Sequence, residues 1–446
     1  MSEPLQEAFW ESDRAKLLRW LPWLHLTRGF RLATRWQNLL LALAGVLLLA
    51  IGRWGISYLP FSSFAQSVEP TAYRSVVWPA KRARPFDRRT IWPCEQPFLE
   101  PPLPAVRQVV DGHRLPQART LLHPAVDLIR PASQFFQRRN RWSQVADAWL
   151  NVLLVLAVGS LIGGAITRRV AMEFGIAQEP GLRASLAFAW REFPYVFGAP
   201  LISVAGLGLL LLLGRIVGWI GVIPGIGTTL AAILWGGVLL VSLLMALLLI
   251  GVAAAWPLMV AAHSCEGTDG FDALNRSYNY VFIRPWYALW LLLVAVVYGL
   301  AVLTFALWLT GFSVHLSEWM AAGPMSDEAL QTIIRDAPAL VASNNFGQRP
   351  TPSAASTIGG WWQHGLAGLL TAFVYSYFWT ASTLIYLLLR KSCDACDLNR
   401  IYVPKPPAKR DGPPLTGIPA VEQREAAQAA ATGNASASAS SAEGAE

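Results

Sequence analysis

Charge is what this 446-residue chain has least of: Asp, Glu, Lys and Arg make up 14% of it, against roughly a quarter in water-soluble domains. That scarcity excludes an ordinary soluble fold, in which apolar residues form amphipathic stripes between charged faces. Cysteine is sparse too. Of four, Cys94 stands alone in a segment expected outside the membrane, so no intramolecular disulfide is expected there. Enzyme signatures are missing: there is no HExxH, no Gly-x-Ser-x-Gly and no Walker loop. The stretch Gly218–Gly227 is Gly-rich but has neither a Gly-Lys-Ser/Thr ending nor a strand before it, so it reads as an apolar turn dipping into the interface, not a phosphate loop. No acidic residue or His stands midway along an apolar run, apart from His364 near the start of the last one. That weighs against an ion-coupled pump. The first 36 residues lack the short apolar core and cleavage site of a secretory signal, which makes the first apolar run an expected uncleaved anchor.

What the chain does have is long apolar runs, at about 37–59, 146–167, 197–217, 231–260, 286–312 and 362–390. Each approaches or exceeds the roughly 20 residues a helix needs to cross a bilayer. The expected fold is all-α: a polytopic integral membrane bundle of about six transmembrane helices with cytoplasmic interfacial amphipathic helices. The net charge of +8 invites a nucleic-acid reading. The Arg residues cluster beside apolar runs, however, where anionic lipid attracts them, so no nucleic-acid partner is expected. Arg14, Lys16, Arg19, Arg28, Arg31 and Arg35 precede the first run. Arg168, Arg169, Arg183 and Arg191 follow the second, Arg276 and Arg284 lie between the fourth and fifth, and Arg390 and Lys391 end the last. By the positive-inside rule both termini are cytoplasmic, and the expected location is the cell (inner) membrane, multi-pass. Residues 60–145 run against the rule with thirteen Lys and Arg, among them Arg74, Arg88 and Arg138, but loops this long cross largely regardless of charge.

The expected organisation is a cytoplasmic basic and aromatic juxtamembrane segment at 1–36, transmembrane helix 1 at 37–59, and a Pro/Arg-rich extracytoplasmic loop at 60–145. A five-helix membrane domain follows at 146–390, and then a cytoplasmic disordered tail at 391–446. Phe9, Trp10, Trp20 and Trp23 mixed with Arg14 and Arg19 suit either an interfacial helix or a solvated tail. Prolines from Pro60 to Pro104 rule out a long helix in the first part of the loop, leaving a surface-packed segment with one short helix near 116–128. The tail beyond 404 is too poor in apolar residues to offset its ordering entropy.

A short internal similarity links 181–200 with 270–285: both begin with Gly and carry Tyr-Val-Phe shortly before Pro, as Tyr195-Val196-Phe197 with Pro200 and Tyr280-Val281-Phe282 with Pro285. Each stretch is amphipathic at helical spacing and precedes an apolar run. A short interfacial helix turning into the bilayer, used twice, fits both; chance similarity fits as well.

Three sets of residues could carry function. Arg183, Arg191, Arg276 and Arg284 stand where lipid headgroups would meet the interfacial helices. Tyr375, Trp379, Ser382 and Tyr386 share a face of the last run, where they could line a cavity or simply bond between helices. His263, Cys265, Cys393 and Cys396 leave the membrane on one side and could form a zinc site if they converged; otherwise no cofactor is expected. In 263–269, Thr268 or Asp269 is also a natural cap for the next helix. Gly159, Gly163 and Gly164, and likewise Gly236, Gly237 and Ala253 to Ala255, let helices approach closely.

Three blocks carry a resemblance: Gly163-Gly164-Ala165-Ile166-Thr167-Arg168, Trp256-Pro257-Leu258-Met259, and Glu266-Gly267-Thr268-Asp269-Gly270-Phe271-Asp272-Ala273-Leu274-Asn275-Arg276-Ser277-Tyr278. Over about 146–390 the chain resembles a family of uncharacterised bacterial polytopic membrane proteins. It is more distantly similar to the membrane domain attached to some glycerophosphodiester phosphodiesterases. The resemblance implies an Ala-Leu-x-Arg-Ser element on a cytoplasmic amphipathic helix, as at 273–277. The catalytic barrel is absent, so no active site carries over. The CxxC at 393–396 departs from the expected exit of the last helix.

The function expected from these features is a non-catalytic integral membrane protein, not an enzyme, that organises membrane lipids or a membrane-protein partner in the bacterial envelope. The alternative is a transporter or channel for a lipid or small solute along the polar face of the last helix.

Overall fold

In the computed structural model, residues 20–59, 121–135, 142–322 and 354–403 are described, with three isolated residues between 325 and 329. The chain is an all-α polytopic bundle in which six helices are long and apolar enough to cross a membrane. They are α2 (Trp36–Ser57), α4 (Trp142–Ile176), α6 (Phe193–Ile220), α7 (Gly227–Glu266), α9 (Pro285–Ala322) and α10 (Ala354–Asp394). Between them lie short helices: α1 (Gly29–Ala33) after a 3-10 turn at Pro22–Arg28, α3 (His123–Gln134), α5 (Leu182–Arg191) and α8 (Gly270–Ile283).

The bundle is built around α10. Every residue of it from 370 to 390 is buried inside the protein, although it is the least apolar of the six. The hydroxyls of Thr371, Thr380, Ser382 and Thr383 turn back onto their own helix, as Thr380 Oγ1 does to the Ser376 carbonyl at 2.7 Å, so they need no water. Ser376 itself donates to the Ala33 carbonyl at 2.8 Å and Tyr377 to the Ala295 carbonyl at 2.7 Å, tying α10 to α1 and α9.

The segment before α2 packs on this core. Leu26, Leu32 and Ala33 are buried, and Trp23 meets Trp290 edge-on. So 20–33 are docked onto the bundle; Phe9, Trp10, Arg14 and Arg19 lie outside the described residues, as do 404–446.

Both sequence-similar stretches form a short helix, a break and a spanning helix, as expected. Their register differs. The first break is at Glu192, before Tyr195-Val196-Phe197; the second is at Arg284, after Tyr280-Val281-Phe282. The structural counterpart of Pro285, at the start of α9, is Pro194 at the start of α6, not Pro200 inside that helix. A Pro is free of cost in a first turn, where its missing N–H has no partner anyway. The two units share a helix–Pro–helix plan, and the Tyr-Val-Phe match does not align them.

Two further expectations change. Residues 391–402 are ordered. Arg390 Nη2 donates to the Asp397 and Arg400 carbonyls at 3.1 and 2.9 Å, and the Tyr402 N–H to the Cys265 carbonyl at 2.8 Å, making a strap across the end of the bundle. In α6 and α7, only Gly227 is buried between residues 204 and 250. The two form a hairpin whose outer faces meet no other part of the described chain. A Cβ at Gly236 or Gly237 would meet nothing within 4 Å, so these glycines serve no packing among the described residues. Gly163 does: a Cβ there would lie 2.5 Å from the Trp379 ring.

Candidate functional site

α3 is the element that sequence reading placed elsewhere. It was expected as a short helix on the membrane surface, yet it lies inside the bundle. Leu121, just before it, reaches Gly299, where a Cβ would be 2.8 Å from the leucine. Gly299 is about 21 Å along α9, well into the spanning stretch. At its other end Phe135 packs on Trp149 near the start of α4, ring centroids 5.0 Å apart. The helix of 12 residues therefore runs antiparallel to α4 from bundle interior toward one end, a half-helix about 18 Å long. The rest of the expected loop, 60–120 and 136–141, lies outside the described residues.

This half-helix carries ionisable groups into an apolar core. Asp127 accepts from Arg53 of α2 (Nη2 to Oδ1, 2.7 Å) and from the Tyr375 hydroxyl of α10. His123, one turn earlier, places Nδ1 3.2 Å from Asp127 Oδ2 and 3.3 Å from Tyr375 Oη. All four side chains are largely buried, and α2 and α10 meet α3 at this point. The sequence reading that no acid or His sits mid-membrane holds for the apolar runs themselves. It fails for the bundle, because a helix outside those runs supplies both.

Beside the cluster is a cavity of about 20 Å³, room for roughly one water molecule. Asp127 and Tyr375 form its polar wall; Leu49, Val155, Ile162, Trp256 and Trp379 form much of the rest. The Trp rings reach it because α4 is interrupted by a π-helical turn, Gly159–Gly163, whose glycines leave space for Trp256 and Trp379. The two indoles meet edge to face at 5.3 Å. Single π-turns inside α-helices are frequent at functional sites. Ser160 Oγ and Trp256 Nε1 are buried here without a hydrogen-bond partner.

The expected site residues divide. Of the α10 set, Tyr375 and Trp379 line the cavity. Ser382 donates to the Phe378 carbonyl at 2.8 Å and Tyr386 to Glu266 at 2.6 Å, so those two serve packing. Of the arginines, Arg183 and Arg284 are exposed on α5 and at the end of α8. Arg191 pairs with Glu192 at 2.9 Å. Arg276 is held by Asp272, which with the Glu266 carboxylate raises its proton affinity above that of an ordinary guanidinium, so it is occupied within the chain. Asp269 caps α8, accepting from the Asp272 N–H at 3.0 Å. Gly267 takes the left-handed turn (φ 65°) that ends α7, under the Tyr402 ring. Much of the stretch 266–278 thus builds this corner.

The four zinc candidates do not converge. Among the described residues no three His, Cys, Asp or Glu side chains are grouped to hold a metal. His263 bonds to the Thr268 carbonyl, Cys265 is fully buried at the end of α7, and Cys393 and Cys396 lie at the exit of α10. Helix geometry explains this: Cys265 points into the bundle, while the CxxC straddles the left-handed Ala395 that starts the strap.

Hydropathy could not have shown the cluster. Arg53 inside an apolar run was the available signal, since a buried charge needs a partner. Comparison with protein-family models, with curated proteins and with solved structures finds no match.

Proposed function

We propose that this protein is a non-catalytic transporter for a lipid or small solute, and that α3 is its moving part. The supporting observation is the Arg53–His123–Asp127–Tyr375 cluster. Charged groups inside a membrane bundle are expensive and, where they persist, mark pathways and relays. Transporters commonly bind their cargo where a helix is broken off inside the bundle, since only there can irregular backbone and half-helix ends face a cavity. α3 is such a half-helix, and its first turn borders the cavity. In this reading the small cavity is the closed form of a path between α2, α4 and α10. The protein sits in the inner membrane with both ends of the chain cytoplasmic. Support comes from the side chains of Arg168, Arg276 and Arg390, which meet the same corner of the bundle through Ser264 and Glu266.

The test is access from both sides. With the four native cysteines replaced by alanine, Val155→Cys should react with a membrane-impermeant maleimide from either face of sealed vesicles. Asp127→Asn should suppress labelling from one face. A cysteine silent from both faces, with no flux of phospholipids, amino acids or sugars in proteoliposomes, would sink the reading.

A second reading, organisation of lipids or a membrane-protein partner, draws on the α6–α7 hairpin and its open glycine faces. Native mass spectrometry of gently extracted protein would favour it by finding a stoichiometric partner.

A further inference from the structure

The elbow between α5 and α6 carries a second buried pair, at the opposite end of α7 from the hairpin turn. Glu192 is the break itself, with φ −89° and ψ 1°. Facing it is His263, 1% exposed in the last turn of α7. The imidazole lies between Phe188 of α5 and Tyr195 of α6, with ring centroids 6.3 and 6.2 Å away, and is nearly parallel to Tyr195. Its Nδ1 bonds to the Thr268 carbonyl. A carbonyl can only accept, so Nδ1 carries the hydrogen and Nε2 of the neutral ring presents a lone pair. That lone pair is buried and meets no hydrogen-bond donor. Instead Glu192 Oε2 stands 3.6 Å from it. Two acceptors facing each other away from water repel, and one added proton turns the contact into a charge-assisted hydrogen bond.

The surroundings define the charge balance. Arg168 of α4 donates to the Ser264 carbonyl at 2.9 Å, its guanidinium 4.6 Å from the centre of the Phe188 ring. Arg191 Nη2 lies 2.9 Å from Glu192 Oε1. Asp269 caps α8 beyond Thr268, and the strap residue Tyr402 closes on Cys265. Glu266 is engaged by Arg276, Tyr386 and Arg390. Among the described residues no other acidic side chain is paired with His263.

We propose that His263 and Glu192 form a proton-binding site that clamps the α5–α6 elbow to the end of α7. The proton comes from water, reaching the pair past Glu192, whose side chain is 19% exposed. One O–H bond of a hydronium ion breaks as the N–H bond at Nε2 forms, its hydrogen shared with Oε2, and a water molecule is released. Binding draws Glu192 toward α7. The Glu192 carbonyl accepts the Tyr195 and Val196 amides, each at 3.1 Å, so the first turn of α6 is fixed with it. Losing the proton frees the elbow. This site is separate from the α3 cavity and stands whether or not the protein transports anything.

The test is ¹⁵N NMR of histidine-labelled full-length protein in lipid nanodiscs, with the His263 signal assigned by its loss in His263→Gln, or in His263→Phe if the first variant does not fold. On acidification the His263 Nε2 signal should convert to the protonated form while the chain stays folded. Hydrogen exchange at Tyr195 and Val196, corrected for intrinsic rate, should slow in step. Glu192→Gln should weaken proton binding by roughly tenfold and abolish the slowing. A ring that stays neutral across the folded range, a titration unmoved by Glu192→Gln, or exchange at Tyr195 and Val196 that ignores the titration would each overturn the proposal.

Discussion

Two parts of this membrane protein, both helical and both apolar, are built on opposite terms. The apolar window of α10 is 100% buried inside the chain, and that of α7 only 17%. The ranking by hydropathy runs the other way: α7 is the most apolar of the six and α10 the least. The reason is the solvent. A helix facing lipid on most sides has no partner for a polar group, so the hairpin of α6 and α7 admits almost none. A helix surrounded by protein can carry Tyr, Ser and Thr, because its neighbours or its own carbonyls satisfy them. In this bundle low hydropathy marks the centre.

The contrast breaks most severely at the buried cluster. Asp127→Ala withdraws one carboxylate from Arg53, His123 and Tyr375 together, and should cost about 3–5 kcal/mol of stability, measured by unfolding in mixed micelles. The double replacement Arg53→Met with Asp127→Leu should recover most of that loss, since it removes the charge along with its partner. A single variant as stable as the parent would mean that the cluster is hydrated and that α3 is only loosely inserted.

Next in size is Gly163→Val. The new branched side chain would be driven into the Trp379 ring, with backbone of the π-turn on the other side. A loss of about 2–3 kcal/mol is expected in the same unfolding assay, as for other overpacked cores. Retained stability would show that Trp379 can swing into the cavity it now borders.

How much of this was legible in the sequence follows from the same contrast. The six spans were readable because lipid-facing helices must be apolar throughout; the starts fall within a few residues of Trp36, Phe193 and Pro285, while α4 and α9 run about nine residues past the expected ends. Of the break-and-Pro plan before α6 and α9, the sequence pattern points to Pro285 but to Pro200 where the structure uses Pro194. The half-helix was hidden. His123, Asp127 and Pro131 make α3 look like the rest of a polar, proline-punctuated loop, and only tertiary packing turns that polarity inward. The sequence leaves both cavity lining and hydrogen bonding open for the polar face of α10, and the structure divides the residues between them. Which members would bond and which would border a cavity depended on α3, which the sequence placed at the surface. The zinc hypothesis failed on direction: four residues on one side of a membrane share an address, not a centre.

A smaller effect is expected from acid at the docked N-terminal segment. Burial, aided by Arg28 and Lys391, lowers the His25 pKa from 6.5 to about 4. Its Nδ1 is buried without a partner, and the ring packs edge-on against Phe174 at 5.5 Å. The unfolded chain takes up this proton near 6.5 and the folded chain only near 4. Stability from this group is therefore whole above 6.5, falls as the pH drops through that window, and is lost below it. Melting temperatures of the parent should fall across the window more steeply than those of His25→Leu. Parallel curves would mean that the segment opens before His25 titrates.

The smallest expected effect sharpens the comparison most. Gly236→Val places the same side chain as Gly163→Val into another spanning helix, but into open space. Valine is a better helix former than glycine, so the monomer should lose nothing measurable and may be compared directly with Gly163→Val in the unfolding assay. A lipid-facing hairpin predicts no change in particle mass either. If Gly236→Val leaves unfolding untouched but dissociates a complex seen by native mass spectrometry, α7 meets another membrane helix through its glycines. The hairpin would then be a second buried region, with its partner supplied from outside the chain, and its high hydropathy would reflect the lipid it meets before assembly.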